Sequence, residues 1–213
     1  MIRTEELRKK FMAEGLRKNQ LSTDPYQQFE NWYQQTMNSD LAEPTAMSLA
    51  TVDTNAQPWQ RMVLLKTFDE SGFVFFTNYA SRKAEHIDNN AKVSLLFPWH
   101  SMGRQIKVTG KAEKISTAES LKYFTSRPRG SQIGAWASHQ SQVIKSRALL
   151  DGMFEQVKNK FSKGEIPLPD FWGGYRIKAE TIEFWQARDN RLHDCFFYQL
   201  ESDGRWLVNR LEP

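Results

Sequence analysis

Cysteine is almost missing from this chain: Cys195 is the only one in 213 residues. A lone thiol excludes an intrachain disulfide framework and any multi-cysteine metal site, and it fits a reducing compartment. Long apolar runs are missing too. No stretch approaches the ~18–20 consecutive apolar residues of a membrane span, and Met1-Ile2-Arg3-Thr4-Glu5-Glu6 lacks the apolar centre of a secretory signal. A cytoplasmic protein with no membrane partner is expected. Concentrated charge of one sign is also lacking. The 29 Lys and Arg against 25 Asp and Glu leave a net +4, spread along the chain, which argues against nucleic acid as a partner. A few converging cations would instead suit a small phosphorylated ligand. The four histidines show no ligand spacing, so no metal is expected.

What is present reads as one α+β domain over residues 1–213, with 39% hydrophobic and 13% aromatic content and no repeat or linker. Residues 4–20 read as a short polar helix. Asp24-Pro25 offers a cap and first-turn proline for a second helix with Tyr26, Phe29 and Tyr33 on its inner face. From Thr45 the pattern turns to β, with strands at Ala46–Val52, Trp59–Phe68, Phe73–Thr77, Val93–Phe97 and Gln105–Ile115. Ser81 caps a helix to about Asn90. Ser116-Thr117-Ala118-Glu119 has the capping-box spacing of a helix ending near Arg127-Pro128. A longer helix is expected around 143–161, then strands at Tyr175–Ile177, Thr181–Gln186, His193–Leu200 and Trp206–Arg210, the last two joined by a Ser202-Asp203-Gly204 turn. Short strands broken by helices favour a closed or nearly closed antiparallel barrel, since closure removes sheet edges.

Four clusters carry candidate chemistry. Arg61 and Lys66 stand five apart near the ends of one strand, hence on opposite faces, each able to meet an anion or to snorkel at the surface. Ser81-Arg82-Lys83 opens a helix, where free amides and two cations make a phosphate cradle or simply a capped surface turn. Tyr123, Arg127 and Ser131 repeat every four residues, offering hydroxyl, guanidinium fork and hydroxyl. Arg191 and His193 alternate across Leu192, so an extended segment would project both to one side.

The stretch Glu183-Phe184-Trp185-Gln186-Ala187-Arg188-Asp189-Asn190-Arg191-Leu192-His193-Asp194-Cys195 closely resembles the C-terminal signature of the pyridoxine/pyridoxamine 5′-phosphate oxidases, where Glu-Phe-Trp-Gln is followed after four residues by Arg-Leu-His-Asp-Arg. Arg61-Met62-Val63-Leu64-Leu65-Lys66 resembles that family's central strand, Gln105 falls in the next expected one, and Pro167-Leu168-Pro169-Asp170-Phe171-Trp172-Gly173-Gly174 resembles its Pro/Trp/Gly turn. The resemblance implies an FMN-binding split β-barrel, a homodimer with FMN in clefts at its interface, an N-terminal lid over 1–20, and dimerisation and active-site strands over 167–213. It implies oxidation of a phosphorylated B6 substrate. By the same resemblance Arg191 and His193 are catalytic and hold the pyridine ring, and Lys66, Tyr123, Arg127 and Ser131 hold the substrate phosphate with Arg8 contributing from the lid. Arg61, Met62, Val63, Leu64, Leu65, Lys66, Phe76, Thr77, Arg82, Lys83, Gln105, Gln140, Ser141, Trp185 and position 195 would contact FMN.

Two positions depart from the pattern. Phe11 replaces a lid tyrosine, and Cys195 replaces an arginine that contacts FMN. A thiol is a weak donor without fixed charge, so this loss predicts a cost of roughly 1.5–3 kcal/mol, or about ten- to a hundredfold in FMN affinity, unless a cation such as Arg188 substitutes. A rival reading is therefore a carrier or degenerate paralogue that binds without turnover. A nicotinamide-using flavin reductase is disfavoured, because the substrate-phosphate set is intact.

Overall fold

The computed structural model describes residues 2–213. Among them are six α-helices: α1 (Thr4–Glu14), α2 (Pro25–Met37), α3 (Arg82–Asn89), α4 (Thr117–Ser126), α5 (Arg129–Ala137) and α6 (Arg147–Lys160). Nine strands form one antiparallel sheet: β1 (Ala46–Val52), β2 (Pro58–Leu64), β3 (Thr67–Asp69), β4 (Gly72–Asn78), β5 (Lys92–Phe97), β6 (Arg104–Lys114), β7 (Trp172–Gln186), β8 (Asp194–Leu200) and β9 (Trp206–Leu211). Strands follow the order β2-β1-β5-β6-β7-β4-β3, and β8 and β9 extend from the far half of β7.

The two ends of that path, β2 and β3, are halves of one bent segment. At the bend the Leu65 amide donates to the Thr45 carbonyl at 2.8 Å and the Lys66 amide to Val74 at 2.9 Å, so the backbone passes from one edge of the sheet to the other within two residues. The sheet thus rolls into a barrel split at this seam, as the expected split barrel requires. The single strand expected over Trp59–Phe68 is accordingly broken, and the inference that Arg61 and Lys66 face opposite ways does not survive the bend.

Helix α2 plugs the barrel. Asp24 accepts from the Tyr26 amide at 2.9 Å with Pro25 at the first turn. The buried Phe29 ring then meets Phe68, Phe73 and Phe97 edge-on at 4.7–4.9 Å, arrangements that suit the aromatic quadrupole. A second apolar cluster, Phe124, Ile133, Ile166 and Trp172, joins α4 and α5 to the start of β7. Gly173 and Gly174 permit that junction, because a Cβ there would collide with Tyr79 and Ile115.

Local signals place most boundaries. The capping box of α4 forms, Ser116 accepting from the Glu119 amide at 3.2 Å while Glu119 accepts from the Ser116 amide at 3.1 Å. Elsewhere tertiary packing overrides the pattern. The first helix stops at Glu14, where Gly15 turns at φ 68°, leaving only a 3-10 turn at Lys18–Gln20. Tyr175–Ile177 and Thr181–Gln186 belong to one strand, since the bulge opposite Gly110 absorbs the extra residue at Glu180 without ending the ladder. The helix end expected near Arg127-Pro128 is found, and past Pro128 a further helix, α5, carries Ser131. The last long helix begins at Arg147, with Val143 fully exposed before it.

Candidate active site

The bend at Leu65-Lys66 places Arg61 and Lys66 on one cavity of about 500 Å³. Its wall is built by β2, the end of β4, α4 and α5. Twelve of the expected site residues line it: Arg61, Met62, Val63, Leu64, Lys66, Phe76, Thr77, Lys83, Tyr123, Arg127, Ser131 and Gln140. Four are cations, and no carboxylate is among the described lining residues. Such a wall is built for an anion.

Arg127 shows this most directly. Its guanidinium lies 4.7 Å over the Trp172 ring, and burial pushes it down from the ordinary arginine value. Its Nη1 is the only buried side-chain nitrogen or oxygen among the described residues that lacks a hydrogen-bond partner. An unsatisfied buried guanidinium costs stability unless a ligand completes it. Beside it Phe76, Tyr123 and Trp172 stack, with Phe76 and Tyr123 centroids 4.0 Å apart, giving the cavity a flat aromatic wall.

Lys83 forms a second pole. Its ammonium donates to Gln140 Oε1 at 2.6 Å, Thr77 Oγ1 at 3.1 Å and Ser81 Oγ at 3.3 Å, all neutral acceptors. Burial, and then the nearby Arg61, push it down to about 8. The Ser81 hydroxyl expected to cap α3 thus serves Lys83 and makes no side-chain cap bond. Arg61 is half-buried, its Nη1 donating to the Leu49 carbonyl at 3.0 Å and Thr51 Oγ1 at 2.7 Å.

The remaining expected residues lie elsewhere. Leu65 is buried in the barrel core. Arg82 stacks over Trp59 at 4.6 Å outside the cavity lining. Ser141 sits at φ 70° on the loop after α5 and, with Gln140, borders a separate cleft. Gln105, Trp185 and Cys195 form one row across β6, β7 and β8. Next to that row His193 tilts against Trp185 with centroids 4.5 Å apart. Arg8, on α1, donates to the His100 carbonyl at 2.7 Å. None of this second set lines the 500 Å³ cavity of the same chain.

Arg191 and His193 are not on an extended strand as the alternation implied. Asp189–Arg191 forms a 3-10 turn, with Asn190 at φ 55° and Arg191 at φ 62°, and β8 begins only at Asp194. A left-handed arginine stores strain of the kind that clusters at functional loops. The Arg188 amide donates to His193 Nδ1 at 3.1 Å, which leaves Nε2 to carry the proton of a neutral ring.

Sequence reading missed the residues that set this loop and the N-terminal helix. Asp194 accepts from the Leu16 amide at 2.9 Å and from Arg210 at 2.7 Å. Arg188 points to the Ala13 carbonyl and to Asp194 rather than toward Cys195, so it does not replace the missing arginine. Arg104 is buried between the Phe11 ring at 3.4 Å and the Trp32 ring at 4.1 Å, bonded to Gln186 and Gln35. Burial pushes its guanidinium down to about 9, which leaves it charged at neutral pH. Phe11 therefore anchors α1. Cys195 is buried, and desolvation, then Glu183, push its thiol up, so it is neutral and adds no anion to the row. Trp172 lay in plain view in the Pro/Trp/Gly turn, but nothing short of the fold puts it under Arg127.

Comparison with known proteins gives the family. Residues 33–161 match the family model described as pyridoxamine 5′-phosphate oxidase, and residues 172–213 match the pyridoxine 5′-phosphate oxidase C-terminal dimerisation region. The pyridoxine/pyridoxamine 5′-phosphate oxidases of Rippkaea orientalis and Escherichia coli are each 56% identical over 97% of this chain, covering 98% and 94% of those proteins. Among solved structures, PhzG from Burkholderia lata, in complex with tetrahydrophenazine-1-carboxylic acid, superposes with a TM-score of 0.86 at 26% identity over 92% of this chain and 95% of its own. A pyridoxamine 5′-phosphate oxidase-related, FMN-binding protein from Nostoc punctiforme shares the fold, with a TM-score of 0.74 at 16% identity over 91% of this chain and all of its own. With its split barrel, its cation-lined cavity and relatives this similar over almost its full length, the chain belongs to the pyridoxine/pyridoxamine 5′-phosphate oxidase family.

Proposed function

We propose that the chain oxidises pyridoxine 5′-phosphate or pyridoxamine 5′-phosphate to pyridoxal 5′-phosphate in the cytoplasm, using FMN and dioxygen. The observation that carries this reading is the cavity whose described lining holds four cations and no carboxylate, with Nη1 of Arg127 unpartnered inside it. Two phosphates need two poles, and the cavity offers them. Arg61 and Lys83, with Thr77 and Gln140 beside them, fit the FMN phosphate and its ribityl oxygens. Lys66, Tyr123, Arg127 and Ser131 fit the substrate phosphate.

The residues outside this cavity complete the reading if two chains pair through residues 167–213, so that one protomer's Arg191, His193, Gln105 and Trp185 face its partner's cavity. The N-terminal segment 1–20, anchored by Phe11 on Arg104, then carries Arg8 over the substrate as a lid. Bound FMN would supply an electron sink for hydride loss at the substrate C4′ and pass the two electrons to dioxygen, which with two protons leaves as hydrogen peroxide; the alcohol substrate gives up its hydroxyl proton to become the aldehyde, and the amine substrate takes up water and releases ammonia. The protein supplies position and electrostatics. Arg191 and His193 hold the pyridine ring in line, Nε2–H of His193 being the donor its Nδ1 contact leaves free. Lys66 and Arg127 neutralise the phosphate dianion, a charge-assisted arrangement that uses remote binding energy to fix the reacting carbon.

The test is pyridoxal 5′-phosphate formation in air across an FMN titration, for the unmodified chain and Cys195→Arg. Saturable turnover is expected in both, the variant reaching half-saturation at roughly ten- to a hundredfold less FMN, as restoring a charge-assisted bond implies. Turnover by the variant alone would favour a carrier or decayed enzyme, and silence from both would sink the assignment.

Lys83 predicts a pH dependence. A phosphate dianion favours the ammonium form, and in the free protein that form is lost as pH rises through about 8. FMN affinity is thus expected to be full below that value and to fall above it. Lys83→Arg keeps its charge and should flatten the fall in flavin-fluorescence titrations made on both sides of pH 8.

A further inference from the structure

The four cations of the cavity repel one another, so something must hold each in place before an anion arrives. Arg61 is half-buried with Arg82 and Lys83 close enough to bias its charge. It is held from behind by two acceptors on β1, the Leu49 carbonyl and the Thr51 hydroxyl, both on Nη1. Nε and Nη2 have no protein partner among the described hydrogen bonds and remain for a ligand.

Thr51 is itself buried, and its hydroxyl lies 3.0 Å from Nδ1 of the buried His86. An arginine cannot accept, so Thr51 Oγ1 accepts from Arg61. The hydroxyl keeps one hydrogen and a second lone pair, and with the His86 ring proton on Nε2 that hydrogen goes to Nδ1. Donation in that tautomer runs in one direction, from Arg61 through Thr51 to His86.

The surrounding side chains keep that line rigid. His86 stands one helical turn beyond Arg82 and Lys83 on α3. Trp59, on the same face of β2 as Arg61 and directly opposite Thr51, packs its ring on the Arg82 guanidinium at 4.6 Å and on His86 at 5.9 Å. One face of α3 and one face of β2 thus close around Thr51.

We infer that His86 is a positioning residue for Arg61, acting through the Thr51 hydroxyl so that α3 and β2 present their cations to the anionic cofactor as one unit. The inference rests on the reading of Arg61 as an FMN-binding residue. It is silent on turnover and concerns cofactor affinity.

The experiment is FMN titration of the full chain, freed of flavin, followed by quenching of FMN fluorescence, with apo thermal unfolding recorded for every variant. Thr51→Val, nearly isosteric, and His86→Leu should each weaken FMN about five- to tenfold, the loss of one buried hydrogen bond. The double variant should be no weaker than the worse single one, because both break the same line. His86→Asn, whose side-chain oxygen can take the place of Nδ1, should return affinity to within about twofold of the unmodified chain. Native affinity in Thr51→Val or His86→Leu, or losses that add in the double variant, would overturn the relay. So would a failure of His86→Asn to rescue while its unfolding temperature matches the unmodified chain. If His86→Leu does not fold, Thr51→Val and His86→Asn decide the question. Arg61→Ala separates the two layers: unchanged FMN affinity there removes Arg61 from the flavin and the relay falls with it. Weakened binding in Arg61→Ala beside native binding in Thr51→Val refutes the relay alone.

Discussion

Arg127→Ala is expected to lower kcat/KM for pyridoxine 5′-phosphate at least about a hundredfold, chiefly through KM, because two charge-assisted hydrogen bonds at roughly 1.5–3 kcal/mol each are lost. FMN affinity should stay within about twofold, since the residue reads as part of the substrate pole rather than the flavin pole. The stability of the free protein distinguishes this from a folding defect. Among the described residues Arg127 has no side-chain hydrogen-bond partner and leaves Nη1 buried, so its removal deletes a desolvation cost along with its stacking on Trp172. These terms oppose one another, and the apo unfolding free energy is expected to change by less than about 1 kcal/mol. Steady-state kinetics, flavin titration and denaturant melts on one preparation check all three. An unchanged kcat/KM, or a fall in FMN affinity instead, would move Arg127 out of the substrate site.

Phe29→Ala is expected to act in the opposite sense, on stability and not on chemistry. The ring is fully buried and touches Tyr33, Phe68, Phe73, Phe97 and Trp99. Truncation leaves a cavity that the surrounding barrel, fixed by ladder hydrogen bonds, cannot close, so a loss of about 3–5 kcal/mol is anticipated. Against a typical domain stability of ~5–15 kcal/mol this is a large fraction, and expression at lower temperature should still yield folded protein with near-normal KM. A denaturant midpoint close to that of the unmodified chain would mean that α2 is not the plug the packing implies.

The contrast between these two residues shows how unevenly sequence and structure share the information. Phe29 was legible: an Asp-Pro cap followed by apolar residues at helical spacing identifies α2 and its inward face. The capping box of α4 and the alternation of β1 were legible for the same reason, since caps and periodicity are carried by residues a few positions apart. Family resemblance put Arg127 on the candidate list, but its unpartnered nitrogen and its stacking on Trp172 are facts of packing.

Two local readings fail where long-range hydrogen bonding overrides propensity. An unbroken strand would put Arg61 and Lys66 on opposite faces; the Leu65 amide instead donates to Thr45, just before β1, and the Lys66 amide to Val74 of β4, and that bend delivers both cations to one cavity. Arg191 and His193 would project to one side only if their segment were extended; β8 begins one residue after His193, where the Asp194 carboxylate accepts from the Leu16 amide and Arg210, and the preceding loop turns left-handed. Ser131 lies beyond Pro128 as the spacing implied, and α5 returns it to the same cavity as Arg127.

By itself, then, the sequence determined the elements with local signatures and the set of side chains able to bind phosphate, along with the two departures at Phe11 and Cys195. Only the tertiary structure decided that Arg61, Lys66, Lys83 and Arg127 converge, that Arg188 is spent on Asp194, and that His86 stands behind Arg61 through Thr51. The physical reason is range. Caps and amphipathic faces are written by neighbours in the chain, whereas a charged cavity is assembled by strand register and helix docking between segments far apart, which no short window of residues specifies.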